Sequence, residues 1–248
     1  MMPERRLGIL GGMFDPIHYG HLDTGSAAQR ALDLSGVLVV PSNIPPHRPQ
    51  PIATSFHRFA MVAMAIAGRP GWRAVDLELD HATPSYTVDT LRHFHGAGFH
   101  PAELFFIAGA DAFLEIATWK DYPRVLDLAH FAIVARPGVK VGQLPARLPA
   151  LASRMRNVDG AMVELTALRA DTPGSQPTFI FLIDAATADV SSTAIRHARL
   201  EHGTIAGMVP PSVLQHIEQH ALYDDRTAIS GGERSVLGAP AGRLHGQD

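Results

Sequence analysis

Short runs of apolar residues recur along the chain, and segments with helical spacing separate them. Such runs occupy residues 7–10, 37–40, 104–108, 131–135 and 179–183, and a further strand is predicted at 72–79. A strand that is apolar throughout is typical of a parallel sheet covered on both faces by helices. Since crossovers between parallel strands are right-handed, the pattern predicts a doubly wound α/β domain with a mostly parallel sheet.

Helices are predicted between these strands and after the last of them, at residues 22–34, 56–67, 86–95, 192–201 and 211–222. Residues 138–177 are rich in Pro, Gly and Arg, and are predicted to form a surface excursion with one helix at 145–156. After Tyr223 the sequence becomes polar and glycine-rich, which is typical of a disordered tail. We therefore expect one domain over residues 1–224 and a disordered or loosely attached tail over 225–248.

The composition excludes several functional classes. The chain has no cysteine, so it can form no disulfide, zinc–thiolate site or cysteine nucleophile. Its net charge of −3 argues against a broad nucleic-acid-binding surface. We expect no signal peptide, because the first residues lack an apolar core, and no run approaches the roughly 20 apolar residues of a membrane span. We expect a cytoplasmic protein with no membrane or nucleic-acid partner; whether it is a homo-oligomer stays open.

The stretch GGMFDPIHYGH follows the first apolar run. Its glycine pair 11–12 is expected to end the strand and to let the backbone approach a bulky anion, because neither residue has a Cβ. Asp15-Pro16 favours a turn, and a helix that starts near His18 directs its first N–H groups at the same place. His18 and His21 are three residues apart, so both lie on one helical face and can donate hydrogen bonds to phosphate oxygens in a transition state.

Two other interpretations of this stretch stay open. Two imidazoles at this spacing can bind zinc, although no third ligand has an obvious spacing. The stretch can also be an ordinary turn with two exposed histidines. The glycines, the helix start and the position at the carboxyl end of a strand together favour a phosphate site, because ligands of doubly wound sheets bind at that edge.

A second candidate anion site is DVSSTAIRHARL, residues 189–200. Ser191, Ser192 and Thr193 precede a helical run, and one of them is expected to be its N-cap. Hydroxyls and free N–H groups at a helix start can cradle an anion, and Arg196 lies one turn further on, within reach of a phosphate. A capped helix with a solvent-facing arginine explains this motif equally well when it is taken alone.

Further segments carry weaker signals. The loop PSNIPPHRP follows a strand and presents Arg48, and the helix start PSYTVDTL, with Ser85 as its expected cap, can bind a carboxylate. Asp111 follows the strand in FIAGADAF and can bind a sugar hydroxyl or a hydrated magnesium ion. Trp119 can stack on a flat ring. Each segment also has a purely structural explanation: a rigid loop for PSNIPPHRP, a capped helix for PSYTVDTL, a strand-ending turn for Asp111 and a core position for Trp119.

These motifs in this order resemble a known family. GGMFDPIHYGH and SSTAIR are similar to the signature of the HxGH nucleotidyltransferases, whose fold is Rossmann-like. Within that superfamily, PPHR, HRFAM, SYTVDTL, FIAGADAF and Trp119 resemble the blocks of bacterial nicotinate-nucleotide adenylyltransferases, over about residues 7–223. The resemblance implies adenylyl transfer from ATP to nicotinate mononucleotide in NAD biosynthesis, giving deamido-NAD and pyrophosphate, with Mg²⁺ as cofactor and no covalent enzyme intermediate.

The resemblance also implies roles for individual residues. The catalytic group is expected to be His18, His21 and Arg196. The ATP-binding group is expected to comprise Gly11, Gly12, Met13, Phe14, His18, His21, Gly109, Asp111, Ser191, Ser192, Thr193 and Arg196, with Gly11, Gly12 and Phe14 along the nucleotide path. The mononucleotide-binding group is expected to be Arg48, Tyr86, Thr87 and Trp119. No residue is expected to ligate a metal directly, except that Asp111 is a candidate contact for Mg²⁺ held by the ATP phosphates.

Two residues depart from the family pattern. Met13 stands where the family usually has Ser or Thr, which removes a hydroxyl, and Arg48 replaces a lysine, which keeps the charge with a different geometry. Three alternatives stay open: a related adenylyltransferase acting on nicotinamide mononucleotide or phosphopantetheine, a non-catalytic nucleotide-binding module, and an RNA-charging enzyme. SYTVDTL argues against phosphopantetheine, and the intact His18, His21 and Arg196 argue against a non-catalytic module.

Overall fold

A parallel sheet of seven strands forms the centre of the molecule, among the residues that the structure describes. The structure is a computed structural model, and it describes residues 6–44, 50–79, 83–158 and 178–224. The strands are β1 Leu7–Gly12, β2 Gly36–Pro41, β3 Trp72–Ala74, β4 Leu104–Gly109, β5 His130–Val134, β6 Met155–Asn157 and β7 Ile180–Ile183. They pair in the order β3-β2-β1-β4-β5-β7-β6, and every pairing is parallel. The predicted doubly wound sheet is confirmed.

Helices cover both faces of this sheet. They are α1 Tyr19–Ala31, α2 Ser55–Ile66, α3 Thr87–Gly96, α4 Ala110–Phe113, α5 Leu144–Arg147, α6 Ser192–Leu200 and α7 Pro211–Gln219. Because successive strand residues point to opposite faces, Phe105 joins the core beneath α1, α2, α6 and α7, whereas Phe106 joins the core beneath α3 and α4. Strand β5 is buried along its whole length, which explains why its sequence is apolar without alternation.

The strand order creates a crevice beside β1. From β1 the chain passes to β2 on one side, while β4, which comes later, pairs with the other side of β1. Connections therefore diverge at the carboxyl ends of β1 and β4. In open parallel sheets this divergence leaves a cleft, and ligands bind there. The GGMFDPIHYGH stretch and Gly109 both lie at this edge.

Three element boundaries differ from the prediction. Strand β1 does not stop at the glycine pair: Gly11 and Gly12 pair with Val40 and Pro41 of β2. Strand β3 ends at Ala74 rather than at 79, because the chain turns where the N–H of Leu79 donates to the carbonyl of Asp76 over 2.8 Å. Helix α1 begins earlier than 22, with His18 as its N-cap, as the anion-site argument expected.

Residues 138–158 do not form the predicted surface excursion. Helix α5 covers Leu144–Arg147, a 3₁₀ segment covers Pro149–Arg154, and residues 155–157 form edge strand β6 beside β7. Leu144 and Leu151 are buried, so this part of the chain covers the sheet. The remainder of that excursion, residues 159–177, lies outside the described residues, as does the predicted tail over 225–248.

Among the described residues, no helix combines the length and the apolar character needed to cross a bilayer.

Candidate active site

Two histidine rings stack at the start of α1. The His18 and His21 ring centroids are 3.7 Å apart, with 28° between the ring planes. His18 is 2% exposed, and its Nδ1 has no hydrogen-bond partner among the described residues. Burial, followed by the charge of Arg136, lowers the pKa of His18 to about 3. His18 is therefore neutral at pH 7 in the free protein, which corrects the interpretation of an exposed turn histidine.

The start of α1 carries the positive end of the helix dipole without an opposing charge in its first turn. Among the residues that the structure describes, no side chain caps this helix, and its first turn contains no acidic residue. The 13-residue helix therefore directs the positive end of its dipole at the crevice. Tyr19 donates its N–H to the carbonyl of Met208, which holds the helix end in place. The arrangement is that of an anion site at a helix N-terminus.

Gly20 of α1 lies against Arg136, which is the second residue after strand β5. A Cβ on Gly20 would come within 2.8 Å of the Arg136 Nη1, 3.1 Å of the Ala188 carbonyl oxygen and 3.1 Å of the His18 Cε1. Only glycine lets these three groups approach the backbone so closely. Arg136 therefore belongs to the same site as the histidine pair, although the sequence analysis did not include it.

The second helix start meets the first. The Ser192 hydroxyl donates to the carbonyl of Pro16 over 2.9 Å, and Arg196 Nη1 donates to the carbonyl of Asp15 over 2.7 Å. These two hydrogen bonds tie the first two turns of α6 to the turn that leads directly into His18. The two helix starts therefore meet at this turn, and the sharing of one ligand cleft by His18, His21 and Arg196 stays a prediction.

The hydroxyls of this helix start have different tasks. Ser191 accepts the N–H of Ala194 and is the N-cap of α6, as one of the three was expected to be. Thr193 is exposed, and its hydroxyl accepts a 3.3 Å hydrogen bond from Arg196 Nη2. The side chains of Ser191 and Ser192 are thus engaged with the protein, so their contribution to an anion comes mainly through backbone N–H groups.

Asp15 is buried at the centre of these contacts, at 1% exposure. Its carboxylate accepts hydrogen bonds from the N–H groups of Ile52 and Ala53 and from the Tyr223 hydroxyl, at 2.8–3.1 Å. Arg196 Nη1 lies 4.0 Å from Asp15 Oδ2. Burial, followed by the charge of Asp15, raises the pKa of Tyr223 well above its usual value. The carboxylate thus orients Arg196 rather than facing a ligand.

The buried side chain of Arg58 joins two loops that border the crevice. It is 1% exposed, and its guanidinium donates to the carbonyls of Met13 at 2.8 Å, Ser42 at 2.6 Å and Ala53 at 3.2 Å. Met13 follows β1 and Ser42 follows β2. Burial lowers the pKa of Arg58, and the nearby carboxylate of Asp15 opposes that effect. The loops at the carboxyl ends of neighbouring strands are therefore joined by one guanidinium.

Side-chain packing, in addition to the access of a ligand to the backbone, explains the glycine pair 11–12. A Cβ on Gly11 would lie 3.3 Å from the ring of Phe106, and one on Gly12 would lie 3.0 Å from the ring of Phe14. Phe14 is 1% exposed and meets the His21 ring edge-on, with centroids 5.0 Å apart. The Phe14 side chain is therefore buried against His21. It does not line the nucleotide path, where the family resemblance placed it.

A second group of predicted residues lies at the start of α3. Tyr86 is its N-cap, and no side chain of the described part of the chain caps the helix. Trp119 packs edge-on against Phe106 with centroids 5.8 Å apart. The predicted cap, Ser85, is wrong: its hydroxyl instead accepts the N–H of Asn43 over 3.1 Å. The N–H groups of Asp89 and Thr90 donate to the Tyr86 carbonyl, so the N–H groups of Thr87 and Val88 are those without a partner among the described residues. Trp119 is partly buried.

A groove of about 480 Å³ opens beside Arg136 at the carboxyl ends of β5 and β7. Its lining is Ala135, Arg136, Pro137, Gly138, Val139, Lys140, Gln143, Asp184, Ala185, Ala186 and Thr187. At its β4 side, a Cβ on Gly109 would come within 2.5 Å of Asp111 Oδ1 and 3.0 Å of Arg136 Cγ. Gly109 and exposed Asp111 thus border Arg136, and their contact with a nucleotide stays a prediction.

Three residues of this site were missed by sequence reasoning, and two of them carried a signal. Arg136 follows a buried strand, which is the criterion that drew attention to the loops after the other strands. Arg58 falls on the same helical face as Met61 and Val62, where a charged residue requires an explanation. The third, Tyr223, had no such signal. Arg48, predicted to bind substrate, lies outside the described residues.

Known proteins resemble this chain in sequence. The sequence profile of the cytidylyltransferase-like family matches residues 9–198. A protein of Cronobacter sakazakii named "Probable nicotinate-nucleotide adenylyltransferase" is 40% identical over 86% of this chain and 93% of its own length. One of the same name from Desulfatibacillum aliphaticivorans is 39% identical over 88% and 99%.

A solved structure has the same fold. Plasmodium falciparum nicotinic acid mononucleotide adenylyltransferase, complexed with NaAD, superposes with a TM-score of 0.65 at 18% identity. The superposition covers 89% of this chain and 98% of that one.

Proposed function

This chain belongs to the cytidylyltransferase-like family, among the nicotinate-nucleotide adenylyltransferases, and we propose that it transfers the adenylyl group of ATP to nicotinate mononucleotide. The products are deamido-NAD and pyrophosphate. The observation that carries the proposal is the meeting of the α1 and α6 starts beside the stacked histidine pair, joined through Arg196 and Ser192. Such a cleft suits a polyphosphate, because it gathers N–H dipoles and guanidinium groups at one place.

The reaction requires positioning and charge stabilisation rather than a protein nucleophile. A phosphate oxygen of the mononucleotide attacks the α-phosphorus of ATP in line, and the bond from that phosphorus to the bridging oxygen breaks as pyrophosphate leaves. Negative charge grows on the leaving group and on the non-bridging oxygens. His18, His21 and Arg196 are the proposed groups that donate hydrogen bonds to these oxygens, and Arg136 supplies a further positive charge.

The neutral state of His18 matters for this role. A neutral imidazole has one N–H to donate, and the polyphosphate of bound ATP favours the protonated form, which has two. ATP therefore raises the pKa of His18 from its value of about 3 in the free protein. Backbone N–H groups of α6 and the residues Ser191, Ser192 and Thr193 are proposed to hold the far end of the triphosphate.

The two organic parts of the substrates fit separate regions. The groove beside Arg136 is within the size range of small-ligand sites, and we assign it to adenosine. The start of α3 is assigned to the nicotinate: the N–H groups at Tyr86 and Thr87 meet its carboxylate, and Trp119 faces its ring. Lys120 lies 4.4 Å from the Tyr86 ring centroid, and its charge is paired with Asp89 in the first turn of α3 over 2.9 Å. Arg48 remains a predicted contact to the mononucleotide.

The donor set around the phosphates indicates how Mg²⁺ is held. Mg²⁺ prefers oxygen ligands and retains several waters, whereas the described residues nearest the histidine pair offer imidazole and guanidinium groups. Asp111 is an exposed carboxylate beside Arg136, and Asp184 is another in the lining of the same groove. We therefore propose that the ATP phosphates hold the ion and that Asp111 contacts its water shell. When bound, the ion neutralises phosphate charge.

A pyrophosphate-release assay with ATP tests the proposal directly. Nicotinate mononucleotide, nicotinamide mononucleotide and phosphopantetheine are supplied in turn, and kcat/KM is compared. We expect nicotinate mononucleotide to be preferred by a wide margin, because an uncapped helix start stabilises a carboxylate and not a neutral amide. Equal values for the acid and the amide would contradict the assignment of α3, and turnover with phosphopantetheine alone would contradict the proposed reaction.

Variants of the histidine pair test the catalytic assignment. His18→Ala and His21→Ala are expected to keep the fold and to lose most of the turnover. His93→Gln is a matched control, since His93 is exposed on α3. Full activity in either alanine variant, with the control also active, would remove that histidine from the mechanism.

A further inference from the structure

Three histidines outside the candidate active site lie together between α2 and α7. His57 lies in the first turn of α2, His216 lies on α7, and His220, four residues later, is the C-cap of α7. Their ring centroids are 5.2 Å apart for His57 and His216, 4.8 Å for His57 and His220, and 4.4 Å for His216 and His220. One ring nitrogen from each histidine lies within 4.8 Å of the other two.

These separations suit a metal ion bound by imidazole. Four ligands placed tetrahedrally about zinc at 2.0–2.1 Å are roughly 3.3 Å apart. His57 Nδ1 and His216 Nε2, which share a hydrogen bond in the free chain, already lie 3.1 Å apart. An ion would replace that hydrogen bond and draw in the His220 nitrogen, which starts within 4.8 Å. The spacing of His216 and His220 is the i, i+4 spacing by which one helical face presents two imidazoles to zinc.

The three imidazoles differ in exposure. His57 and His216 are half-buried, whereas His220 is exposed and accessible to an incoming ion. Three protein ligands leave a fourth position for water, so the set is chemically that of an open zinc site.

We propose that His57, His216 and His220 bind one divalent transition-metal ion, Zn²⁺ or a metal of similar preference, and so cross-link α2 to α7. The histidines do not fit Mg²⁺, which selects oxygen ligands. The site is separate from the proposed adenylyl transfer and does not depend on it. The two helices also pack directly, since the Ser212 hydroxyl donates to the carbonyl of Met64.

The cross-link would act on elements that support the candidate active site. The residue after His57 is Arg58, which holds the Met13 and Ser42 loops. Helix α7 leads to Tyr223, which donates to Asp15. An ion between the two helices therefore joins the two sides of the Asp15 network, and the measurable consequence is higher thermal stability in the presence of metal.

The test uses the full chain without an affinity tag of histidines. Co²⁺ is titrated and the visible absorption of the four-coordinate ion is followed; Zn²⁺ is then measured by competition with a chromophoric chelator. We expect one ion per chain, with nitrogen ligands by X-ray absorption and a Tm raised by roughly 5 °C or more at saturation. His216→Gln and His220→Gln should each weaken binding at least about 10-fold, whereas His93→Gln should bind as the unaltered chain does.

Three results would overturn the proposal: no binding in the micromolar range, equal weakening in the His93→Gln control, or binding that survives removal of all three histidines and disappears in His18→Gln. The last result would put the ion at the stacked histidine pair instead. Because His220 is exposed, His220→Gln keeps the proposal testable even if substitution of half-buried His57 impairs folding.

Discussion

The burial of His18 predicts a specific loss of stability in acid. The folded protein holds the pKa of this residue at about 3, against 6.5 for an ordinary histidine. Since protonation is disfavoured in the fold, the unfolded chain binds the extra proton between these values. The stabilising contribution is therefore fully present above pH 6.5 and is lost as the pH falls towards 3.

The magnitude follows from proton linkage. Below 6.5 the free energy of unfolding falls by about 1.4 kcal/mol per pH unit for each proton taken up only by the unfolded chain. Between pH 7 and pH 5 the contribution of His18 is about 2 kcal/mol, and this figure barely depends on the folded pKa as long as that pKa is well below 5. His130, whose pKa burial and then the charges of Arg154 and Arg6 lower to about 4, contributes a similar amount.

Urea denaturation at pH 7, 6 and 5 measures this loss. The unaltered chain should lose about 4 kcal/mol from the two histidines between pH 7 and pH 5, and His18→Gln should lose about 2 kcal/mol less. The comparison is between slopes, so any stability that the substitution itself removes at pH 7 cancels. If His18→Gln shows the same pH dependence as the unaltered chain, His18 titrates normally in the fold, and the buried, neutral imidazole inferred for the active site is refuted.

Three further substitutions probe the supports of the site. Gly20→Ala places a Cβ 2.8 Å from Arg136 Nη1, so kcat in the pyrophosphate assay should fall about 100-fold; unchanged kcat would show that the arginine gives way freely. Arg58→Met leaves buried carbonyls without donors and should cost at least about 3 kcal/mol in urea, while a loss below 1 kcal/mol would mean that water replaces the guanidinium. Tyr223→Phe removes a donor to Asp15 and should cost about 2 kcal/mol, which a Tm equal to that of the unaltered chain would contradict.

The sheet was predictable because its strands are buried on both faces. A run such as FAIVA is apolar at every position, and this pattern alone distinguishes β5 from a loop. Strand β6, Met155–Asn157, has no such pattern. It is three residues long, carries Arg156, and lies at the sheet edge, where one side has no partner strand among the described residues. Its position is set by pairing with β7, which sequence spacing does not reveal.

The candidate site was predictable where one short segment contains its parts, and not where distant segments supply them. His18 and His21 are close in sequence, so their spacing alone predicts their proximity. The Arg58 guanidinium, by contrast, acts on carbonyls of Met13 and Ser42, and a carbonyl that needs a donor has no signature in the sequence. The need for glycine at position 20 likewise has no local signal in the sequence. Arg136, which packs against it, lies more than one hundred positions further along the chain.

Asp15 presents the one apparent conflict in this site, since a carboxylate repels the polyphosphate that the cleft is proposed to bind. The conflict disappears when its hydrogen bonds are considered: two N–H groups and a hydroxyl donate to the carboxylate, and it is 1% exposed. Its charge is therefore screened from the cleft, whereas its backbone carbonyl and carboxylate hold Arg196. A guanidinium tethered in this way loses less side-chain entropy on binding phosphate than a free one. Weakening the tether through Tyr223→Phe should thus raise the KM for ATP, an effect that loss of stability alone would not produce.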